Sequence, residues 1–192
     1  MKNVGFLMLT LAMAMMIGGT ALAQNPITED APYFVTYYSN ANTASAPDQT
    51  VRIINGGAGG GLNLYANIYV FDDSEELQEC CSCLVTPDGL LSESVNKNLT
   101  AAPITSIKPT RGVIKVLAGT NNDATAIGTL SAGLTGWSTH VQKLASGYLL
   151  TEASMHPMTL SAAEFALLQN LCHYDALLSG KPCTCTPEDS DF

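Results

Sequence analysis

The chain has 192 residues, with 17 acidic and 8 basic side chains and a formal net charge of −9 at pH 7. Nucleic acids and anionic membranes bind through basic surfaces, so this charge argues against both as partners. Once a leader is removed, the length fits one domain.

The first 23 residues have the pattern of a cleavable signal peptide. Lys2 precedes an apolar run over residues 4–17, and Ala21 and Ala23 give the small-x-small pattern of a cleavage site. The run of about 14 residues is shorter than the ~20 that span a bilayer. We therefore expect a mature chain from residue 24, no membrane span after cleavage, and a secreted, cell-surface or periplasmic location.

Residues 24–48 are predicted to form an N-terminal extension that contains one strand. Residues 24–32 are polar and include two prolines, and residues 39–48 have the composition of a loop. The strand between them is aromatic and β-branched. It consists of Tyr33, Phe34, Val35, Thr36, Tyr37 and Tyr38. This strand either completes its own sheet or pairs with a neighbouring copy by β-augmentation, and the sequence leaves both readings open.

Residues 49–192 are predicted to form the main domain, which begins with strands at 50–54 and 62–71. Apolar and polar residues alternate most clearly in 62–71. The glycine-rich segment 55–61 is expected to be a hairpin turn, since the Lys-Ser/Thr of a phosphate loop does not follow it. The acidic segment 72–79 is expected to be a solvated face with one helical turn, because it lacks the spacing of an EF-hand calcium loop.

Further strands are predicted downstream from β-branched or alternating residues. They cover 112–117, 136–144 and 148–153, with weaker candidates at 94–99 and 105–107. Segment 126–134 is expected to pair with 136–144 around Gly133. Many short strands with turn signals between them favour an antiparallel β-sandwich.

One helix is predicted near the C-terminus, over about residues 162–178. Ser161 and Glu164 have the spacing of a capping box, and Gly180 and Pro182 end the helical pattern. The expected fold class is therefore mainly β: an antiparallel β-sandwich with one C-terminal helix, stapled by disulfides.

Six cysteines remain after cleavage and fall into two clusters of three. The clusters are Cys80, Cys81 and Cys83, then Cys172, Cys183 and Cys185. An even number in an exported chain favours disulfides, and zinc ligands are usually spaced further apart than these cysteines. In an extended segment Cys81 and Cys83 point to one face and Cys80 to the other. We therefore expect Cys80 to pair with Cys172, and Cys81 and Cys83 to pair with Cys183 and Cys185 in an order that the sequence leaves open.

Other residue patterns that could carry chemistry are weak. Met155, His156 and Met158 could bind Cu(I), but methionine more often fills a gap in a core. His140 follows Trp137 on a predicted strand, where a structural role is expected. The motifs G-x-S-x-G and H-E-x-x-H are absent from the sequence. We predict no catalytic residue, no cofactor and no bound metal.

Residues 66–96, the Leu-Cys pair at 171–172 and the Cys-Thr-Cys at 183–185 resemble a group of uncharacterised secreted proteins of soil bacteria. The resemblance spans most of the mature chain by pattern. It implies export and a shared cysteine framework. It implies no assigned activity and carries over no catalytic residue.

The sequence thus predicts a secreted, non-enzymatic structural or cell-surface protein. The expected role is self-assembly with further copies, as a filament or appendage subunit, through the strand at 33–38. The alternative is an extracellular ligand- or polysaccharide-binding module that stacks its ligand on exposed aromatic side chains. These side chains are Tyr33, Tyr37, Tyr38, Tyr65, Tyr69 and Trp137.

Overall fold

The structure, a computed structural model, describes residues 32–57, 60–178 and 183–185. The predicted signal peptide at 1–23 lies outside the described residues. The described chain forms two antiparallel sheets and one C-terminal helix, which confirms the predicted mainly β fold class.

Five strands form the larger sheet. They are β1 (Tyr33–Ser39), β3 (Leu64–Asp72), β4 (Leu77–Val85), β6 (Arg111–Gly119) and β9 (His156–Pro157). Their order across the sheet is β4-β3-β6-β1-β9. Alternating residues of β3, such as Ile68 and Tyr69, are fully buried on opposite faces. Both faces of this sheet are therefore covered.

Four strands form the smaller sheet. They are β2 (Thr50–Asn55), β5 (Leu90–Ser94), β7 (Leu134–Leu144) and β8 (Gly147–Ser154), in the order β5-β2-β7-β8. Val51 and Ile53 of β2 and Leu91 of β5 point into the core between the sheets. The strand β8 ends the sheet and is exposed along most of its length.

The helix α1 (Ala162–Leu178) covers the outer face of the larger sheet. The backbone N–H of Glu164 donates to Ser161 Oγ at 3.1 Å, which confirms the predicted N-terminal cap. Leu168 of α1 is fully buried against the sheet. The Glu164 carboxylate accepts from Lys115 Nζ at 2.6 Å, and this ion pair ties the first turn of α1 to β6.

The strand β1 lies inside the larger sheet. It pairs with β6 over its whole length, from Tyr33 opposite Leu117 to Ser39 opposite Arg111. On its other side it pairs with β9 at Phe34 and Val35. The strand β1 of the predicted N-terminal extension therefore shares backbone hydrogen bonds with strands in residues 49–192.

Three local predictions are wrong. Residues 95–99 form one π-helical turn instead of a strand, because Ser94 caps it and the Thr100 hydroxyl donates to Val95 O at 2.7 Å. Residues 105–107 form turns. Residues 126–133 form an irregular loop that meets β6 at one bridge, Gly119 to Leu130, while β7 pairs with β2 and β8.

The glycine-rich segment at 55–61 also differs from its prediction. It joins β2 to β3, and these strands belong to different sheets. It is therefore a crossing between layers instead of a hairpin turn. The Asn55 side chain anchors its start, because Nδ2 donates to Leu62 O at 2.9 Å and to Val85 O at 3.0 Å.

Among the described residues, no helix is both long enough and apolar enough to cross a membrane.

Candidate functional site

The six cysteines form three disulfides between β4 and the C-terminal region. They join Cys80 to Cys172, Cys81 to Cys183 and Cys83 to Cys185, with Cα atoms 5.7, 5.1 and 5.4 Å apart. Cys80 faces the helix, while Cys81 and Cys83 face the core between the sheets. This confirms the pairing of Cys80 with Cys172 that strand alternation predicted. It also fixes the order of the other two bonds.

The short segment 183–185 lies against β4, the end strand of its sheet. The N–H of Cys183 donates to Cys80 O at 3.3 Å, and the N–H of Thr184 donates to Asn98 O at 3.3 Å. Cys183 is 4% exposed and belongs to the core between the sheets. The segment therefore satisfies part of the β4 edge, which would otherwise be open to pairing with another chain.

A depression of about 410 Å³ lies beside these disulfides. Five of the six cysteines line it, together with the loop at 122–125 and the last turns of α1. Within the cluster, Cys81 Sγ and Cys83 Sγ are 3.8 Å apart. The sulfur atoms of Cys81, Cys83 and Cys185 all lie within 4.8 Å of one another. In this oxidised form the sulfurs are bonded in pairs, so they offer no thiolate to a ligand.

Glu79 is a fully buried carboxyl in the same strand. Its Oε1 accepts from the N–H of Ala102 at 2.5 Å, and its Oε2 has no hydrogen-bond partner in the described part of the chain. Burial raises the pKa of Glu79 to about 7; the Ala102 N–H opposes this rise, the Asp175 carboxylate adds to it, and Lys108 opposes it. Sequence reasoning placed residues 72–79 on a solvated face and so missed this residue.

Two other acidic residues of that segment, Asp72 and Asp73, make local contacts. Asp72 Oδ1 accepts from the N–H groups of Ser74 and Glu76 at 2.8 and 3.0 Å. Asp73 pairs with Arg111 at the surface, at 2.6 Å. The predicted helical turn is a tight non-helical turn that leads directly into β4.

The residues predicted for assembly lie in β1, and their side chains point in different directions. Phe34 and Tyr38 belong to the core between the sheets, and Tyr33 packs under α1. The ring of Tyr37 is 49% exposed. In this single chain the strand completes its own sheet, which is one of the two readings that the sequence left open.

Tyr37 and Thr36 also connect β1 to the smaller sheet. The Tyr37 ring stacks on His140 with centroids 4.0 Å apart, and Thr36 Oγ1 lies 2.5 Å from Ser138 Oγ. Ser138 Oγ lies in turn 3.2 Å from His140 Nε2. These contacts hold β7 of the smaller sheet against β1 of the larger sheet.

The Ser138–His140 pair does not have the arrangement of a catalytic triad. Both residues are buried, and no carboxylate is hydrogen-bonded to His140 among the residues that the structure describes. Burial lowers the pKa of His140, and a backbone contact with Tyr37 opposes this effect. The ring is thus held in a structural network, and its aromatic partner is Tyr37 instead of Trp137.

The six aromatic residues proposed to stack a ligand do not form one surface. Tyr33, Tyr38 and Tyr69 are at most 5% exposed, so their rings are closed to a ligand. Tyr65 lies on the helix-side face of the larger sheet, and Trp137 lies on the outer face of the smaller sheet. The prediction that these six side chains stack a ligand together is therefore wrong. Alternation along the strands places their rings in different layers of the fold.

Met155, His156 and Met158 are also separated. Met155 is buried in the core between the sheets, while His156 and Met158 are exposed around β9. Met155 fills a core position, as the sequence favoured. The three residues do not converge as a soft-metal site.

Comparison with known proteins gives no family. No family model matches the chain, and no curated protein matches it. Among solved structures, the chain is similar to the crystal structure of Thermotoga maritima 1070 with a TM-score of 0.46 and 12% identity. The match covers 69% of this chain and 98% of that one. A likeness at this level bears on neither the family nor the activity of the chain.

Proposed function

We propose that this protein is an exported, non-enzymatic structural or cell-surface protein whose copies associate by exchanging β1. Three disulfides support export, because such bonds persist in oxidising compartments. The position of β1 supports exchange. It is the first strand of the described residues, yet it pairs with β6 and β9, which follow much later.

Exchange of β1 retains the contacts that hold it. A neighbour's β1 in the same slot makes the same pairing with β6 and β9 and the same contacts with Ser138 and His140. The free-energy difference between closed and exchanged forms then comes from the hinge and from association entropy. Strand exchange of this kind is a low-cost route from monomer to oligomer.

The hinge is the loop at 40–49, and its conformation favours opening. Asn40, Asn42 and Ser45 all have left-handed backbones, with φ of 57°, 51° and 64°. Such a backbone is unfavourable for residues other than glycine, and less so for asparagine. An extended hinge relieves this strain. Asn42 opposes opening, because its Nδ2 donates to Thr100 Oγ1 at 3.0 Å and to Pro109 O at 2.9 Å.

A cross-strand disulfide tests the proposal directly. Tyr37 and Val113 are opposite each other in β1 and β6, so the double variant Tyr37→Cys/Val113→Cys can form a bond between these strands. In a closed monomer this bond forms within one chain. In an exchanged assembly it joins two chains. Non-reducing electrophoresis of concentrated protein, read beside light scattering and negative-stain imaging, separates the two.

The control is Lys143→Cys/Tyr148→Cys, which joins β7 to β8 within one hairpin. We expect chain-linked oligomers from the β1–β6 variant and single chains from the control. If both variants stay single-chain at every concentration and the wild type stays monomeric, the assembly proposal is wrong. If the wild type assembles while the β1–β6 variant links only within chains, association uses another surface and exchange is wrong.

A further inference from the structure

Two neighbouring disulfides bring four sulfur atoms together on the core side of β4. Cys81 and Cys83 are two residues apart on one strand, and their partners Cys183 and Cys185 have the same spacing. The two strand cysteines already have their sulfurs 3.8 Å apart. Cys185 Sγ lies within 4.8 Å of both. Three soft ligand atoms thus lie within one small volume, and the fourth, Cys183 Sγ, is bonded to one of them, Cys81 Sγ.

This arrangement is close to the dimensions of a tetrahedral thiolate site. Zinc binds thiolate at about 2.3 Å, so the sulfurs of a four-thiolate site lie about 3.8 Å apart. The edge between Cys81 and Cys83 already has that length. After reduction, the sulfurs of Cys81 and Cys183, and likewise those of Cys83 and Cys185, would have to move apart by about 1.8 Å. Side-chain rotation can supply this movement.

We propose that the reduced protein binds one Zn²⁺ through the thiolates of Cys81, Cys83, Cys183 and Cys185. Each disulfide is first reduced by a phosphine or dithiol. With a phosphine, one disulfide and one water give two thiols and one phosphine oxide. The four thiols then release four protons as they bind the cation. The metal replaces two covalent links and keeps segment 183–185 on β4.

The backbone keeps the sulfurs close when the disulfides are cut. Cys81 and Cys83 are held in β4, which pairs with β3 along its length. The segment 183–185 is held to β4 by a backbone hydrogen bond, in which the Cys183 N–H donates to Cys80 O. Burial of Cys81, Cys83 and Cys183, each at most 4% exposed, excludes water from the site. A buried set of thiolates favours a soft or borderline cation over Mg²⁺ or Ca²⁺.

The third disulfide provides a matched control. Cys80 points to the other face of β4 and is bonded to Cys172 on α1. The double variant Cys80→Ser/Cys172→Ser therefore removes two thiols and leaves the proposed site complete. The variant Cys83→Ser/Cys185→Ser removes the same number of thiols and halves the site.

The test is cobalt titration of the full mature chain, reduced with a phosphine and kept without oxygen. Tetrahedral cobalt thiolates absorb in the visible region, and Zn²⁺ should displace the cobalt. We expect saturation at one cobalt per chain in the wild type and in Cys80→Ser/Cys172→Ser, with at least a 10-fold weaker affinity in Cys83→Ser/Cys185→Ser. Circular dichroism checks that each reduced variant is folded.

Four results would overturn the proposal. The first is absence of the tetrahedral spectrum in folded, reduced wild-type protein. The second is equal loss of binding in the two double variants. The third is equal cobalt affinity in the native buffer and in denaturant, because the sulfurs would then need no fold to bind. Unfolding of the reduced wild type itself would also count against the proposal, unless the metal restores the fold.

Discussion

Replacing Glu79 with glutamine should remove a pH dependence from the stability of the protein. In the folded chain the pKa of this buried carboxyl is about 7, against an ordinary value of 4.5. Folded protein therefore keeps a proton between these two pH values that the unfolded chain releases. The free energy of unfolding falls as the pH rises through this window.

The size of the effect follows from the two pKa values. A rise of the pKa from 4.5 to about 7 costs about 3 kcal/mol once the pH exceeds the folded value. Glutamine keeps the acceptor for the Ala102 N–H but carries no charge. The Glu79→Gln variant should therefore lack this loss. Burying the new amide can lower the free energy of unfolding by a constant amount at every pH. Such a constant cost does not change how this free energy depends on pH.

Urea denaturation at intervals from pH 4.5 to pH 8 measures this slope. Glu76→Gln is the matched control, because it removes the same charge from an exposed position nearby. From pH 4.5 to pH 8, we expect the free energy of unfolding to fall by about 3 kcal/mol more in the wild type and in Glu76→Gln than in Glu79→Gln. Equal slopes for wild type and Glu79→Gln would show that Glu79 is ionised in the folded protein, and would refute the reasoning.

Three further substitutions test the packing. Gly112→Ala would place a Cβ 1.9 Å from a backbone carbonyl of β3 and should cost more than about 2 kcal/mol in denaturation, while Gly56→Ala, with open space around it, should cost far less. Cys80→Ser/Cys172→Ser should cost about 3 kcal/mol, since the other two disulfides still close the large loop, and should raise hydrogen exchange in α1. Ser161→Ala removes the helix cap and should cost about 1 kcal/mol in thermal unfolding.

Strands and the helix were predictable where one physical rule dominates. The alternation in 62–71 and the β-branched residues of 112–117 gave strands that the structure contains as β3 and β6. The cap at Ser161 fixed the start of α1. Alternation also predicted the cysteine pairing, since it separates Cys80 from Cys81 by face. These features depend on local geometry, which the sequence carries directly.

The wrong predictions share a different cause. Segment 126–134 has strand composition, but the edge of β7 that it would use is occupied by β2, which is distant in the chain. Segment 94–99 is only a weak strand candidate, and Ser94 and Thr100 capture backbone groups locally and hold a π-helical turn. Tertiary pairing in the first case and side-chain hydrogen bonds in the second override propensity.

The buried acid was unpredictable for a related reason. Glu79 follows a run of mostly exposed acidic residues, but the chain enters β4 at Leu77 and is already buried there. Its partner Ala102 is distant in sequence and lies in an irregular loop. The network of Tyr37, Ser138 and His140 is hidden likewise, because it forms where two sheets meet.

The disulfides also set how the protein responds to mechanical tension. A pull on the two ends is carried across the bonds from β4 to the C-terminal region, so residues 84–171 bear no load. Only the chain before Cys80 can then lengthen on the N-terminal side. At roughly 3.3 Å per residue, the described part of that chain, from residue 32, spans about 160 Å when fully extended. Under load, β1, β2 and β3 therefore form the extensible part of the described chain, and the disulfides limit its extension.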